Sequence, residues 1–182
     1  GWENNREELK DNSLKIFDSY LKNGFTPAGF FKEFVNLNRG FEEPVHSIRR
    51  QSEGIYAMLH FMAYEKEQGR KHPEWEQRVK QMFEMFLKLQ NADGSFPRKF
   101  RDDFTIVDKS GGSTPSATLP LVMGYKYFKD KRYLASARKT AEYLEKELIS
   151  KADYFSSTLD ANCEDKEASL YTATATYYLS LI

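Results

Sequence analysis

The chain has 182 residues, with 27 basic and 27 acidic side chains and a formal net charge of zero. Its single Cys excludes an internal disulfide or a Cys-based zinc cluster. The charge balance argues against sequence-independent nucleic-acid binding, and no apolar run approaches the roughly 18 residues that a membrane span needs. The 15% aromatic share is high for a chain that is 30% charged. It points to long helices with wide buried faces, or to a cavity lined with rings.

The hydrophobic period is helical along most of the chain. A first helix is expected over 2–21, with Leu9, Ser13, Phe17 and Tyr20 on one stripe and Leu14 and Leu21 beside it. Asn23-Gly24 closes it, as a left-handed cap would. Residues 25–44 mix Phe25, Phe30, Phe31, Phe34 and Val35 with Gly29, Asn36, Asn38 and Gly40, and read as a structured connection with short strands. A second helix over 47–68 is apolar nearly all round between Ile55 and Tyr64, the pattern of an element buried on most sides. His60 falls in that run and reads as core.

Gly69 ends the second helix, and Pro73 opens a third that continues to 90. Its stripe of Trp75, Val79, Met82, Phe83 and Phe86 leaves Glu76, Arg78, Lys80 and Glu84 for water, and His72 before it reads as surface. Residues 91–95 form a turn, and a long polar loop follows to Gly112. Thr114-Pro115 reads as N-cap and first helical position of a fourth helix ending at Phe128. Pro120 inside it implies a start nearer Thr118 or a kink. The fifth helix, 132–149, carries Tyr133/Leu134, Ala137, Ala141, Leu144 and Leu148 on one side and Lys139, Glu142 and Glu145 off it. The sixth, from 163 onward, is dense in small residues (Ala168, Ser169, Thr172 to Thr176) and reads as buried.

Amphipathic and buried helices therefore alternate. The buried ones begin near Ser47, Thr114 and Glu164, a structural repeat of roughly 50–65 residues. Consecutive pairs would form antiparallel α-hairpins, and the three inner N-termini would converge on one face.

Gln90, Gly94 and Phe96 in the stretch 87–100, LKLQNADGSFPRKF, occupy the Q-x3-G-x-W pattern of triterpene cyclase repeats, with Phe in the place of Trp. Similar Q-N-x-D-G-x-aromatic turns occur in six-hairpin glycosidases and some pectate lyases. With the alternation of helices, the chain resembles the α/α-toroid (six-hairpin glycosidase-like) superfamily. The cyclase likeness ends at the turn, since no DxDD or DDxxD run exists. The implied fold class is all-α, with alternating inner and outer α-hairpins making a partial (α/α) toroid of about six helices. Residues 1–182 would be one helical-hairpin domain, an excerpt whose parent chain completes the ring. The lack of an opening secretory signal then says nothing about secretion, and a periplasmic or extracellular location would follow from a signal in the parent. The resemblance implies a carbohydrate-active protein, with a glycoside hydrolase as the leading expectation. A lyase acting on uronic-acid glycans and a non-catalytic helical scaffold are the alternatives.

The polar segments before the inner helices carry the candidate chemistry. Asp160, Glu164 and Asp165, with Glu167, form a carboxylate cluster in which neighbours can raise one pKa, as a general acid beside an ionised partner requires. The same residues would also serve as caps offsetting a helix dipole. Lys166 inside the cluster would neutralise part of it. Arg49, Arg50 and Glu53 begin the second helix; an Arg there could grip a sugar carboxylate or pair with Glu42, Glu43 or Glu53. His46 beside them could serve as acid or base, or as a hydrogen-bonded structural residue. Phe104 and Asp108, with Phe100, Asp102 and Asp103, could form a sugar platform or an ordinary solvated loop. Tyr154 and Phe155 offer the same stacking before the sixth helix. Cys163 reads as a small buried residue. No HExxH spacing and no glycine-rich phosphate loop occur, so no metal or cofactor is expected. The expected partner is a carbohydrate, not nucleic acid or membrane.

Overall fold

The computed structural model describes residues 6–33, 35–36, 41–42, 45–154 and 166–182. Its helices are α1 (Glu7–Asn23), α2 (Ile48–Glu67), α3 (Pro73–Leu89), α4 (Thr114–Phe128), α5 (Lys131–Tyr143, prolonged by a π-helical turn Leu144–Ile149) and α6 (Lys166–Leu179). α4 lies between α2 and α6, with α1, α3 and α5 outside them. This is the expected partial toroid: three inner helices backed by three outer ones.

The inner helices run parallel. Arg49, Glu53 and Tyr56 of α2 meet Glu167, Tyr171 and Tyr178 of α6 in the same order. The far ends of all three inner helices converge as well, where Leu59 and Ala63, Met123 and Tyr127, and Tyr177 and Leu181 line one cavity.

Packing explains the boundaries. α4 carries almost no charge, and Thr114 to Val122 is buried throughout. It is helical from Thr114 through Pro120, so the later start is not present. Ser113, not Thr114, precedes its first turn; the Thr114 hydroxyl instead accepts from the Phe96 amide at 2.9 Å. The Gln90-Gly94-Phe96 turn stitches α3 to α5. Gln90 Nε2 donates to Gly94 O at 3.1 Å and Ser136 O at 3.0 Å, and Ser136 Oγ donates back to Gln90 Oε1 at 2.8 Å. Gly94 has φ +90°, and a Cβ there would fall 2.1 Å from the Lys139 carbonyl oxygen. Phe96 is fully buried against Phe86.

Several expectations are corrected. Gly24 closes α1 with φ −89°, not left-handed. Glycine is needed there because a Cβ would meet Tyr20 O at 2.6 Å. Leu14, Phe17 and Leu21 are the core stripe of α1, whereas Leu9 and Tyr20 face solvent. Phe17 stacks on Phe61 of α2 at 4.0 Å, which fixes that rotation. His60 is exposed, its ring edge-on to Tyr56 at 4.4 Å. His72 is not a surface residue: it stacks on Trp75 at 3.7 Å and reaches the buried Glu65 at 2.9 Å. α6 buries only Ala168, Thr172 and Ala175 among its described residues. The opposite face is bare, with Leu170 68% and Tyr177 62% exposed.

The long polar loop is partly ordered as strand. Within it β4 (Lys99–Arg101) and β5 (Ile106–Asp108) form a hairpin. The segment Val45–Ser47 leading into α2 is β3, and it pairs antiparallel with β4. The connection before α2 holds the expected short strands, β1 (Val35–Asn36) paired with β2 (Phe41–Glu42). The three-stranded sheet caps the N-terminal end of α2, through Ile48 N to Arg98 O at 3.2 Å. No helix among the described residues is long and apolar enough to cross a membrane.

Candidate functional site

The N-terminal ends of α2, α4 and α6 share one face, and the polar side chains of α2 and α6 meet across it. Arg49 Nη1 lies 2.6 Å from Glu167 Oε2, and its Nε lies 4.0 Å from Glu53 Oε1. The Tyr171 hydroxyl donates to Glu53. Farther from this face, in the last turn of α6, the Tyr178 hydroxyl lies 2.6 Å from that of Tyr56. Burial and that neighbouring phenol push Tyr56 up to about 12. Tyr171 is raised as well, first by burial and then by donating to the Glu53 carboxylate. Both phenols therefore stay protonated at neutral pH, and Tyr171 uses its proton on Glu53.

The positions follow from helical spacing. Residues 49, 53 and 56 of α2, and 167, 171, 174 and 178 of α6, recur at three, four or seven residues, so each set lines one side of its helix. Tyr171 was not singled out in the sequence, and Glu167 entered only as a neighbour in the carboxylate cluster. The polar and aromatic stripe of Glu167, Tyr171, Thr174 and Tyr178 in an otherwise small-residue helix was the available signal.

A second cluster sits behind this face. Glu33 accepts from Ser47 N at 2.7 Å and from Gln51 Nε2 at 2.8 Å, and Arg50 Nη1 stands 3.6 Å from it. Burial raises the Glu33 pKa against those lowering contacts. His46 is 1% exposed, with Nε2 at 2.7 Å from Asp102 Oδ1 and Nδ1 at 3.9 Å from Glu33 Oε1. Thr26 Oγ1 also donates to Asp102, at 3.0 Å. Phe30 and Phe100 close over the imidazole at 5.1 and 5.5 Å. His46 thus ties β3 to β4 and the loop after α1, out of reach of a glycan. Arg49 and Arg50 are both ion-paired, as one reading of the sequence held, with Glu167, Glu53 and Glu33 as the partners.

The other candidates disperse. Asp108 accepts from Ser110 N at 2.9 Å and faces Arg98 at 3.5 Å, so it organises the turn into α4. Phe104 holds φ +67° and packs edge-on against Phe30 at 5.6 Å, with the Lys88 ammonium 5.6 Å from its ring. Tyr154 packs with Leu144, Leu148 and Tyr143 beneath α6. Asp160, Glu164, Asp165, Phe155 and Cys163 lie outside the described residues. At the start of α4 the buried hydroxyls of Ser110 and Ser113 have no hydrogen-bond partner among the described residues. Among the described residues, no group of three His, Cys, Asp or Glu is placed to hold a metal ion.

A different concavity, of about 360 Å³, opens at the opposite end of the inner helices. His60, Met123, Lys126, Tyr127, Tyr177 and Tyr178 are among its walls.

No protein-family model matches the chain. Solved structures do. Over 97% of this chain, cellobiose 2-epimerase from Bacillus thermoamylovorans B4167 superimposes with a TM-score of 0.70 at 16% identity. An unsaturated glucuronyl hydrolase variant described with dGlcA-Glc-Rha-Glc gives 0.71 at 13% identity, again over 97% of the chain. A D-mannose isomerase gives 0.58 at 15% identity over 75%. At these identities the likeness shows the fold alone, a partial α/α toroid. The chain spans 48% of the epimerase and 50% of the hydrolase, about half the length of the structures it matches.

Proposed function

We propose that the chain is part of a carbohydrate-active α/α-toroid enzyme whose cleft opens at the N-terminal ends of the inner helices. The observation that carries this reading is the Arg49, Glu53, Glu167 and Tyr171 cluster on that face, in a fold whose similar structures are named for sugar epimerisation, glucuronyl hydrolysis and sugar isomerisation. The remainder of a parent chain would complete the ring.

The reaction we assign is glycoside hydrolysis by paired carboxylates through an oxocarbenium-like transition state. Glu53 enters as an acceptor oriented by Tyr171. Asp160, Glu164 and Asp165, just before α6 in the sequence, are proposed to supply the acid. Arg49 positions Glu53 and Glu167. Arg50, Phe104, Asp108 and Tyr154 are given no part in the cleft, since each is engaged in the structural contacts described above. The lyase reading is disfavoured: a tyrosine whose pKa is raised makes a poor base, and His46 is sealed behind Phe30 and Phe100. Epimerisation or isomerisation of a free sugar is the second reading, favoured by the names of the similar structures.

A product assay on an oligosaccharide panel separates these. New reducing ends support hydrolysis. Products of unchanged mass with altered configuration would replace it with epimerisation, and the ultraviolet absorbance of an unsaturated uronate would replace it with lysis. In the full-length protein, Glu164→Gln and Asp165→Asn should abolish turnover; intact turnover and glycan binding in both would remove the carboxylate assignment.

A further inference from the structure

We infer that this face takes a neutral sugar through its hydroxyls, and that Glu167 is the specificity-determining residue that keeps a uronate out. The inference rests on the carbohydrate site proposed above and adds the substrate class.

A uronate-binding site needs a guanidinium or ammonium whose charge is left for the ligand, because bidentate carboxylate recognition uses two of its N–H donors. Arg49 does not meet that condition. Glu167 holds Nη1 at 2.6 Å, and Glu53 faces Nε from 4.0 Å, so one cation already stands between two carboxylates. A third carboxylate would have to displace Glu167 or sit beside it with like charge. The neighbouring Arg50 points to the nearly buried Glu33, 3.6 Å away. Arg98, just before β4, is matched to Asp108 at 3.5 Å. Among the described residues of α2 and α6 that meet here, the other polar groups are the Tyr171 and Tyr56 phenols, which stay protonated. Sugar hydroxyls can donate to the Glu53 and Glu167 carboxylates as well as accept from the phenols, whereas a uronate would bring a third like charge beside those two.

The test is a calorimetric titration of the chain with matched pairs of oligosaccharides, each a neutral glycan and the uronate of the same length and linkage. The wild type is expected to bind the neutral member of its preferred pair at least about tenfold more tightly, the equivalent of one charge-assisted hydrogen bond. Glu167→Gln keeps the side chain's shape and frees Arg49. It should raise the ratio of uronate to neutral affinity about tenfold. Glu53→Gln should shift the ratio in the same direction by less, because Glu53 stands farther from the guanidinium. Uronate binding by the wild type equal to or tighter than neutral binding would overturn the inference, and so would an unchanged ratio in Glu167→Gln. If neither member of any pair binds to wild type or variants, the carbohydrate reading itself fails and takes the inference with it. That result is distinct from binding with the wrong preference.

Discussion

Replacing Gln90 with Ala tests what the Gln-x3-Gly-x-aromatic turn does physically. Gln90 carries three hydrogen bonds: two donated to the Gly94 and Ser136 carbonyls and one accepted from the Ser136 hydroxyl. Each contributes about 1 kcal/mol net. Ser136 is 3% exposed, so losing its acceptor adds about 1–3 kcal/mol for an unsatisfied buried hydroxyl. The Ser136 carbonyl keeps its place in the α5 ladder, so its share is at the low end. The expected loss is about 3 kcal/mol, or roughly 6–12 °C in Tm for a chain of this size. The assay is urea unfolding followed by far-ultraviolet circular dichroism. Deleting both partners in Gln90→Ala/Ser136→Ala should recover part of the loss, because no buried hydroxyl is then stranded. A loss below about 1 kcal/mol, or a double variant no better than the single, would refute the claim that this side chain clamps α3 to α5.

Three further outcomes follow from the same geometry. Gly94→Ala places a Cβ against the Lys139 carbonyl at a φ of +90°, so it should destabilise by more than about 2 kcal/mol, checked in the same unfolding assay. The pH dependence of stability should have two opposed parts. Glu65 is lowered, chiefly by Arg70, so its contribution is present above the ordinary carboxylate range and is lost as pH falls through its depressed pKa. Glu33 is raised by burial, so stability falls as pH rises through its pKa, and Glu33→Gln should remove that fall while leaving the acid limb in place. On α6, Leu170→Glu with Tyr177→Glu should lower self-association of the isolated chain in sedimentation velocity, because these side chains form a bare apolar stripe opposite the face packed on α4.

The alternation of wet and buried helices was legible because α3 and α5 carry one apolar stripe each while α2 and α4 are apolar on several sides. The Gln90 turn was legible because glycine and a buried aromatic at that spacing have a local job. What stayed hidden depends on distant pairing. Arg49 and Glu167 are 118 positions apart, and His46 and Asp102 are 56 apart. No spacing rule brings either pair together. Ser47 and Lys99 are strand partners, so the polar loop's β-hairpin became visible only with its neighbour β3 in place. α6 misled for another reason. A helix apolar on two flanks reads as buried whichever flank is covered, and only the position of α4 shows that the flank of Leu170 and Tyr177 is the open one.

The central claim is that a glycan sits at the N-terminal ends of the inner helices, around Arg49, Glu53, Glu167 and Tyr171. Hydrogen exchange of the chain with and without a bound oligosaccharide tests it most directly. Added protection should fall on residues 48–56 and 166–172. Protection confined to the aromatic cavity at the opposite end, over 59–63, 123–127 and 177–181, would contradict the account.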